Sequence, residues 1–526
     1  MRDAFGTIPL YYIHIPTKGI LFSTDIVELL NENNVLNPSK INTSKIFTYL
    51  SRNDFIQPYD NDTHFHYIKS VLPGHLISFT NSEIKTDSYL TPLNANWEHL
   101  KNEQEYGTVF KDLFLKSVSR GMVNKRHIGS QLSGGLDSSS VSSTLKLLSP
   151  NLNLHTFYTD TNTSLSDETI YAREVVQRIS SDHHIINPSY NAIDDLIFAT
   201  QIYGQPVYGS MGTSLLVNLY RRANEIGCDS LFTGHDGDSI VGHGIEYLNE
   251  LMKQKKWDEL RHELSEVAKL DKFSMVYGNA WNSYTRDYRN ELIFTRHIYR
   301  KLLSLVKQRN YLESFELLVV AQRRFNLDSY SLVNSGIKSL FNKLTKPHKT
   351  TTFIQRKDFI VDYDKDSILS YNNPYKSITY NQNIRVIEEQ ASLGEYFNID
   401  VVHPFFDTQI YDFCKSIPSS ILFDHGMGRG PLRTAMKDIL PEMVRTRTTK
   451  GIYNDYVKRD TILLLSQSQD FLVDTSTVWE YVDKNKFHHS VKILTQKNNS
   501  MEIESLMIFF VCKTIFLAVW LQLFQK

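Results

Sequence analysis

SQLSGGLDSSSV, residues 130–141, sets a glycine pair between serines, then one aspartate, then a run of hydroxyl residues entering a helix. In that helix Val141, Leu145 and Leu148 recur at i, i+4 and i+7, which predicts one apolar face. The stretches LHTFYT (154–159), HHIINP (183–188) and CDSLFTG (228–234) read as further strands, separated by helical segments such as ETIYAREVVQRI (168–179). Strands alternating with helices predict an α/β fold, a parallel sheet covered on both faces. In such sheets ligands lie beyond the carboxyl ends of the strands. At the helix N-termini there, unpaired N–H groups and the macrodipole favour negative charge. Gly134 and Gly135 are expected to let a phosphate approach the backbone, with Ser133, Ser138 and Ser139 as hydroxyl donors. Asp137 and a phosphate are both anionic, so Asp137 is expected to act through Mg²⁺. No lysine follows the glycines, so this is not the Walker pattern. The stretch reads as a pyrophosphate cradle with its own metal ligand.

The rest of the chain sets bounds on that reading. Its 526 residues, 41% hydrophobic, can bury a sizeable core in two or more domains. Lys+Arg 57 against Asp+Glu 58 leaves a net charge of −1, which removes any bulk-charge argument for nucleic acid or an acidic membrane. Cys228, Cys414 and Cys512 have no metal-type spacing, and so few cysteines fit a reducing cytoplasm. No secretory signal opens the chain. Residues 505–524, SLMIFFVCKTIFLAVWLQLF, are long and apolar enough to span a bilayer. The central Lys513 opposes insertion, so a buried helix is expected and membrane association is not. Residues 1–100 read as short strands and turns, with Ile8–Ile13 and LPGHLISF (72–79) β-rich; 245–345 reads as long, charged and helical, and 400–526 as mostly helical.

Six stretches in order carry a resemblance. SGGLDSS resembles the pyrophosphate loop of the N-type ATP pyrophosphatases, on their asparagine-synthetase branch. DETIYAREVV (167–176) with DHH (182–184), TGHDGDSIVGH (233–243), HPFFD (403–407), GRGPLR (428–433) and LPEMVRTRTTKG (440–451) resemble that family's later blocks. RDAFGTIPLYY (2–12) is similar to the end of its N-terminal glutaminase domain. The implied organisation is a truncated, inactive, β-rich glutaminase-like remnant with an N-terminal-nucleophile-type fold over 1–100, an ATP pyrophosphatase domain over 101–460, and a helical extension over 461–526. The implied reaction is ATP-dependent: a carboxylate attacks the α-phosphorus to give an acyl-adenylate and pyrophosphate, and an amine then displaces AMP to form an amide. Pyrophosphate would sit on Ser133, Gly134, Gly135 and Ser138, and Mg²⁺ would be shared by Asp137 and Asp238. Leu132, Thr233 and Gly234 would contact AMP. Lys450 matches the catalytic lysine, and Arg429 would support phosphate as a bidentate donor. His235, which replaces a carboxylate of the family pattern, and His403 are candidates to contact the substrate.

The departures decide between substrates. Glutamine-dependent members use an N-terminal cysteine, where this chain has Arg2 after the methionine, so glutamine hydrolysis is not expected. GHDGD, GQP (204–206), HPFFD, TTKG and AVWLQ lean toward relatives such as β-lactam synthetase and the lasso-peptide macrolactam cyclases. A cyclase would take a precursor peptide and work beside leader-binding and protease partners. An asparagine synthetase from a truncated or miscalled gene is the alternative, and a non-catalytic scaffold remnant is a third reading from another class.

Overall fold

The computed structural model describes the chain except residues 16–18, 32–39, 52–53, 55–56, 81–82, 91–96, 98, 165, 210–211, 271–278, 329–377, 452, 497–500 and 526. The expected helical stretch 245–345 is helical over Glu246–Lys253, Trp257–Val267, Arg286–Lys307 and Tyr311–Phe325; its remaining parts include 271–278 and 329–345, which lie outside the described residues.

The amino-terminal region builds an antiparallel sheet from β1 (Tyr11–Ile15), β2 (Gly19–Ser23) and β3 (Lys69–Ser70), in the order β2-β1-β3. Beside it stands a hairpin of β4 (His75–Thr80) and β5 (Glu83–Ser88). Arg2 ties this region to the rest. Its guanidinium, 2% exposed, donates to Tyr59 Oη, Ser70 Oγ and the carbonyls of Gly6, Ile8 and Val71, and pairs with Glu388 at 2.8 Å.

The central sheet is wholly parallel: β6 (Ile128–Gln131), β7 (His155–Thr159), β8 (Asp182–Ile186), β9 (Ser230–Phe232) and β10 (Asp400–Val402), in the order β10-β9-β6-β7-β8. The chain runs outward from β6 through β7 to β8, then returns to the other side of β6 as β9. The winding direction therefore reverses between β6 and β9. At such a point the loops leaving two neighbouring strands diverge and open a crevice. The loops in question are 132–136 and 233–237.

The helix after β6, Leu136–Leu148, corrects one expectation. It has no single apolar stripe: Ser138 through Leu145 are all buried, and Leu148 is 38% exposed. Serines 138, 139, 140, 142 and 143 are small enough for the helix to be packed on every side. Ser140 and Ser142 return their hydroxyl protons to the carbonyls of Leu136 and Ser138, which satisfies them without solvent.

The last helix, Met501–Phe524, is apolar all round and behaves accordingly. By length and composition Glu504–Phe524 could cross a membrane, yet 78% of its most apolar window is buried inside the protein. Trp520 donates to the Gly204 carbonyl at 3.0 Å and packs on Phe65, and Lys513 places its ammonium 3.7 Å and 4.0 Å from the ring centres of Tyr49 and Tyr208. Burial pulls the Lys513 pKa down to about 8, against the pull of Asp54 and Glu389.

Candidate active site

The crevice above β6 and β9 is a cavity of about 950 Å³. Its walls include Leu132, Ser133, Gly135, Asp137, Ser138, Gly234, His235, Asp238, Arg429 and Lys450, ten of the residues singled out in the sequence. Gly134, Ser139, Thr233 and His403 are not among the lining residues, and Ser139, expected as a hydroxyl donor, is fully buried in the helix Leu136–Leu148.

The two glycines divide their work. Gly134 has φ +75°, and a Cβ there would stand 2.6 Å from the Ala172 nitrogen and 2.8 Å from the Tyr171 Cβ. Its missing side chain lets the helix Thr169–Ile179 pack against the turn. A Cβ on Gly135 would meet only Ser133 Oγ, at 3.2 Å, so this glycine is the open one. Within the loop Ser133 and Ser138 hydroxyls lie 3.0 Å apart, and Ser133 Oγ accepts from the Gly135 N–H. The loop is closed on itself by hydroxyls that can turn to an incoming anion.

Gly237 brings the second turn against the first, since a Cβ there would collide with Asp137 Cγ at 2.7 Å. Asp137, Asp236 and Asp238 thus share one small volume beside His235, Arg429 and Lys450. Burial, with Asp238 nearby, pushes Asp137 above the ordinary carboxylate range despite the adjacent Arg429. For Asp238 burial is outweighed by Lys450 and Arg429, and its carboxyl is held below that range. Asp236 Oδ2 is buried with no hydrogen-bond partner. These carboxylates, one with an unsatisfied oxygen, supply the hard oxygen donors that suit a divalent cation such as Mg²⁺.

Arg429 sits at φ +60° and grips Asp137 with Nη1 at 2.6 and 2.7 Å. The sequence placed this arginine on phosphate; here it is held by the carboxylate. Lys450 is 75% exposed and stands 3.7 Å from Asp238. His235 lines the cavity with its ring near His403 and Phe406. His403 itself is buried, with Nδ1 2.7 Å from Thr233 Oγ1, and burial with His235 nearby drives its pKa down to about 3. It supports the turn after β9 as a neutral ring.

Sequence reading missed the anchor of the Lys450 loop. Glu168, 3% exposed, pairs with Arg447 at 2.5 Å and accepts from the Gly451 N–H and Tyr453 Oη, each at 3.1 Å. Arg447 also lies 3.9 Å over the Tyr171 ring and donates to the Gly134 carbonyl. One carboxylate thereby ties the lysine loop to the helix that packs on the glycine turn. Glu168 lies within the DE of DETIYAREVV, which was the available signal.

Residues 109–522 match the family described as asparagine synthase, and residues 1–90 match the glutamine amidotransferase domain. Curated proteins with similar stretches include glutamine-hydrolysing asparagine synthetases from Bos taurus, 29% identical over 28% of this chain and 27% of that protein, and from Pongo abelii, 30% identical over 33% and 32%. A putative glutamine-hydrolysing asparagine synthetase from Methanocaldococcus jannaschii is 23% identical over 53% of this chain and 51% of that protein. The aligned stretches thus span between about a quarter and a half of the length of these relatives.

Proposed function

Because the chain belongs to the asparagine synthase family, we propose that it is an ATP-dependent, AMP-forming amide ligase. The observation that carries this reading is the single cavity joining the hydroxyl-rich loop of Ser133, Gly135 and Ser138 to Asp137, Asp238 and Lys450. ATP with Mg²⁺ would supply the phosphoanhydride whose cleavage turns a carboxylate oxygen into a leaving group. Asp137 and Asp238, with Asp236 beside them, would hold the metal. Ser133, Gly135 and Ser138 would bind pyrophosphate at the N-terminus of the helix Leu136–Leu148, and Leu132 and Gly234 would border the nucleotide. Lys450 would balance charge on the α-phosphate and then on the oxyanion of amide formation.

For the carboxylate we propose the side chain of a peptide aspartate or glutamate, captured by an amine of the same peptide. Free aspartate carries an α-carboxylate that calls for a cation. The three arginines of the cavity are already engaged: Arg429 on Asp137, Arg447 on Glu168, and Arg433 on the carbonyls of Met427, Gly428, Arg445 and Arg447. A precursor peptide, with leader-binding and protease partners, follows from this reading.

ATP–pyrophosphate exchange on the purified full chain tests it, with aspartate set against candidate peptides. Peptide-dependent exchange supports the cyclising ligase, and aspartate-dependent exchange supports an asparagine synthetase. Silence with both, and with Mg²⁺ present, would sink the ligase reading and favour a scaffold.

A further inference from the structure

A second group of chemically active side chains stands at the amino ends of β7 and β8, at the opposite end of these strands from the cavity. Alternation along β8 puts Asp182 and His184 on one face, and the parallel register sets His155 of β7 beside Asp182. His155 Nδ1 lies 3.2 Å from His184 Nε2 and 3.7 Å from Asp182 Oδ2. One donor atom from each residue falls within 4.8 Å of the other two. Donors held about 2.1 Å from a tetrahedral Zn²⁺ stand roughly 3.4 Å apart, so the three atoms are already near the corners of such a site.

The ring positions are fixed by packing. His184 stacks on Phe157 with centroids 5.2 Å apart and planes at 25°, and the His155 side chain is only 14% exposed. Thr156 and His183 take the other face of the two strands, where they bond to each other at 3.0 Å. Asp182 is 65% exposed at its side chain, which leaves a route for an ion and a water. The nearby Arg222 guanidinium is paired with Glu225 at 3.1 Å. Two imidazoles and one carboxylate suit a borderline ion such as Zn²⁺ and not the hard, oxygen-seeking Mg²⁺.

We propose that His155, Asp182 and His184 form a Zn²⁺-type transition-metal site, completed by water, that clips the edge strand β8 to β7. The site is separate from the carboxylates of the cavity, and its occupancy stabilises the sheet by binding the folded form alone.

The test uses the full chain, stripped with chelator and titrated with Zn²⁺ by calorimetry, with Co²⁺ as a spectroscopic substitute and the melting temperature as a separate readout. One equivalent bound at this site, the visible absorption of tetrahedral Co²⁺ and a raised Tm are expected. Asp182→Asn, an exposed change that leaves the core untouched, and His184→Gln are each expected to weaken Zn²⁺ at least about tenfold and to abolish the Tm rise. His425→Ala, in a distant cluster with Glu263 and His262, is expected to retain all three signals. Absence of Zn²⁺ binding by the unaltered chain, undiminished binding in Asp182→Asn and His184→Gln, or loss only in His425→Ala would each overturn the proposal.

Discussion

Arg429 Nη1 donates to both carboxylate oxygens of Asp137, at 2.7 and 2.6 Å, across 292 residues of chain. The residue suited to a metal and the residue suited to a phosphate hold each other. On the proposed reading, Asp137 would hold the cation and Arg429 the phosphate, so neither charge would be left bare when the pair opens. Arg429→Met is therefore expected to raise the KM for MgATP at least about tenfold. Arg429→Lys is expected to recover only part of it, since an ammonium lacks the planar fork. Steady-state exchange kinetics with varied MgATP decides.

Lys450 lies 3.7 Å from Asp238 and its side chain is 75% exposed. Its replacement by alanine is expected to leave the melting temperature within about 1 °C, since exposed substitutions shift stability by roughly 0.5 kcal/mol or less. Exchange is expected to fall by about 10²–10³, the cost of one charge-stabilising donor. Calorimetry and exchange on the same preparation check both halves.

The glycine pair separates stability from binding. Gly134→Ala forces a side chain into the Tyr171–Ala172 backbone at positive φ and is expected to cost about 1–3 kcal/mol in a denaturant titration. Gly135→Ala meets only a hydroxyl, so it is expected to keep its stability and weaken nucleotide binding.

His403 is neutral in the fold, with its pKa driven by burial from 6.5 to about 3. The unfolded chain takes up that proton below about 6.5 and the folded chain does not until about 3. The stability His403 confers is thus present above pH 6.5 and declines as the pH falls towards 3. His403→Gln is expected to flatten this part of the stability–pH curve, which chemical denaturation at pH 4, 5, 6 and 7 would reveal.

Arg2 and Glu388 form an ion pair with side-chain exposures of 1% and 0%. Glu388 is also paired with the buried Arg385 at 3.1 Å. Arg2→Met therefore leaves it one cation and is expected to cost less than Glu388→Met, which strands two buried guanidiniums and is expected to cost about 3–5 kcal/mol. The double replacement Arg2→Met with Glu388→Met is expected to cost less than the sum, as a double-mutant cycle would measure.

The sequence carried the glycine turn, the alternation of strands and helices, and most of the cavity wall, because each is a local pattern read within about a dozen residues. What it did not carry is the pairing of distant charges. Nothing near Glu168 announces Arg447 or Tyr453, nearly three hundred residues on, and nothing near Arg2 announces Glu388. Leu148 misled for a related reason: periodicity reports which side of a helix is apolar, and this helix is enclosed from Ser138 to Leu145 by virtue of its serines but open at Leu147 and Leu148. Thr233 and His403 are buried beside the cavity and bonded to each other. Whether a side chain meets ligand or another side chain depends on rotamers that a sequence does not display.

The buried helix Met501–Phe524 has a consequence for synthesis. Trp520 packs on Phe65 and Lys513 lies over Tyr49, so the core around Thr43–Leu50 and Phe65 is closed by residues translated more than four hundred positions later. Until the ribosome has delivered them, that apolar surface has no native cover. Nascent chains stalled before residue 500 should engage holding chaperones, and release from them should coincide with emergence of the helix.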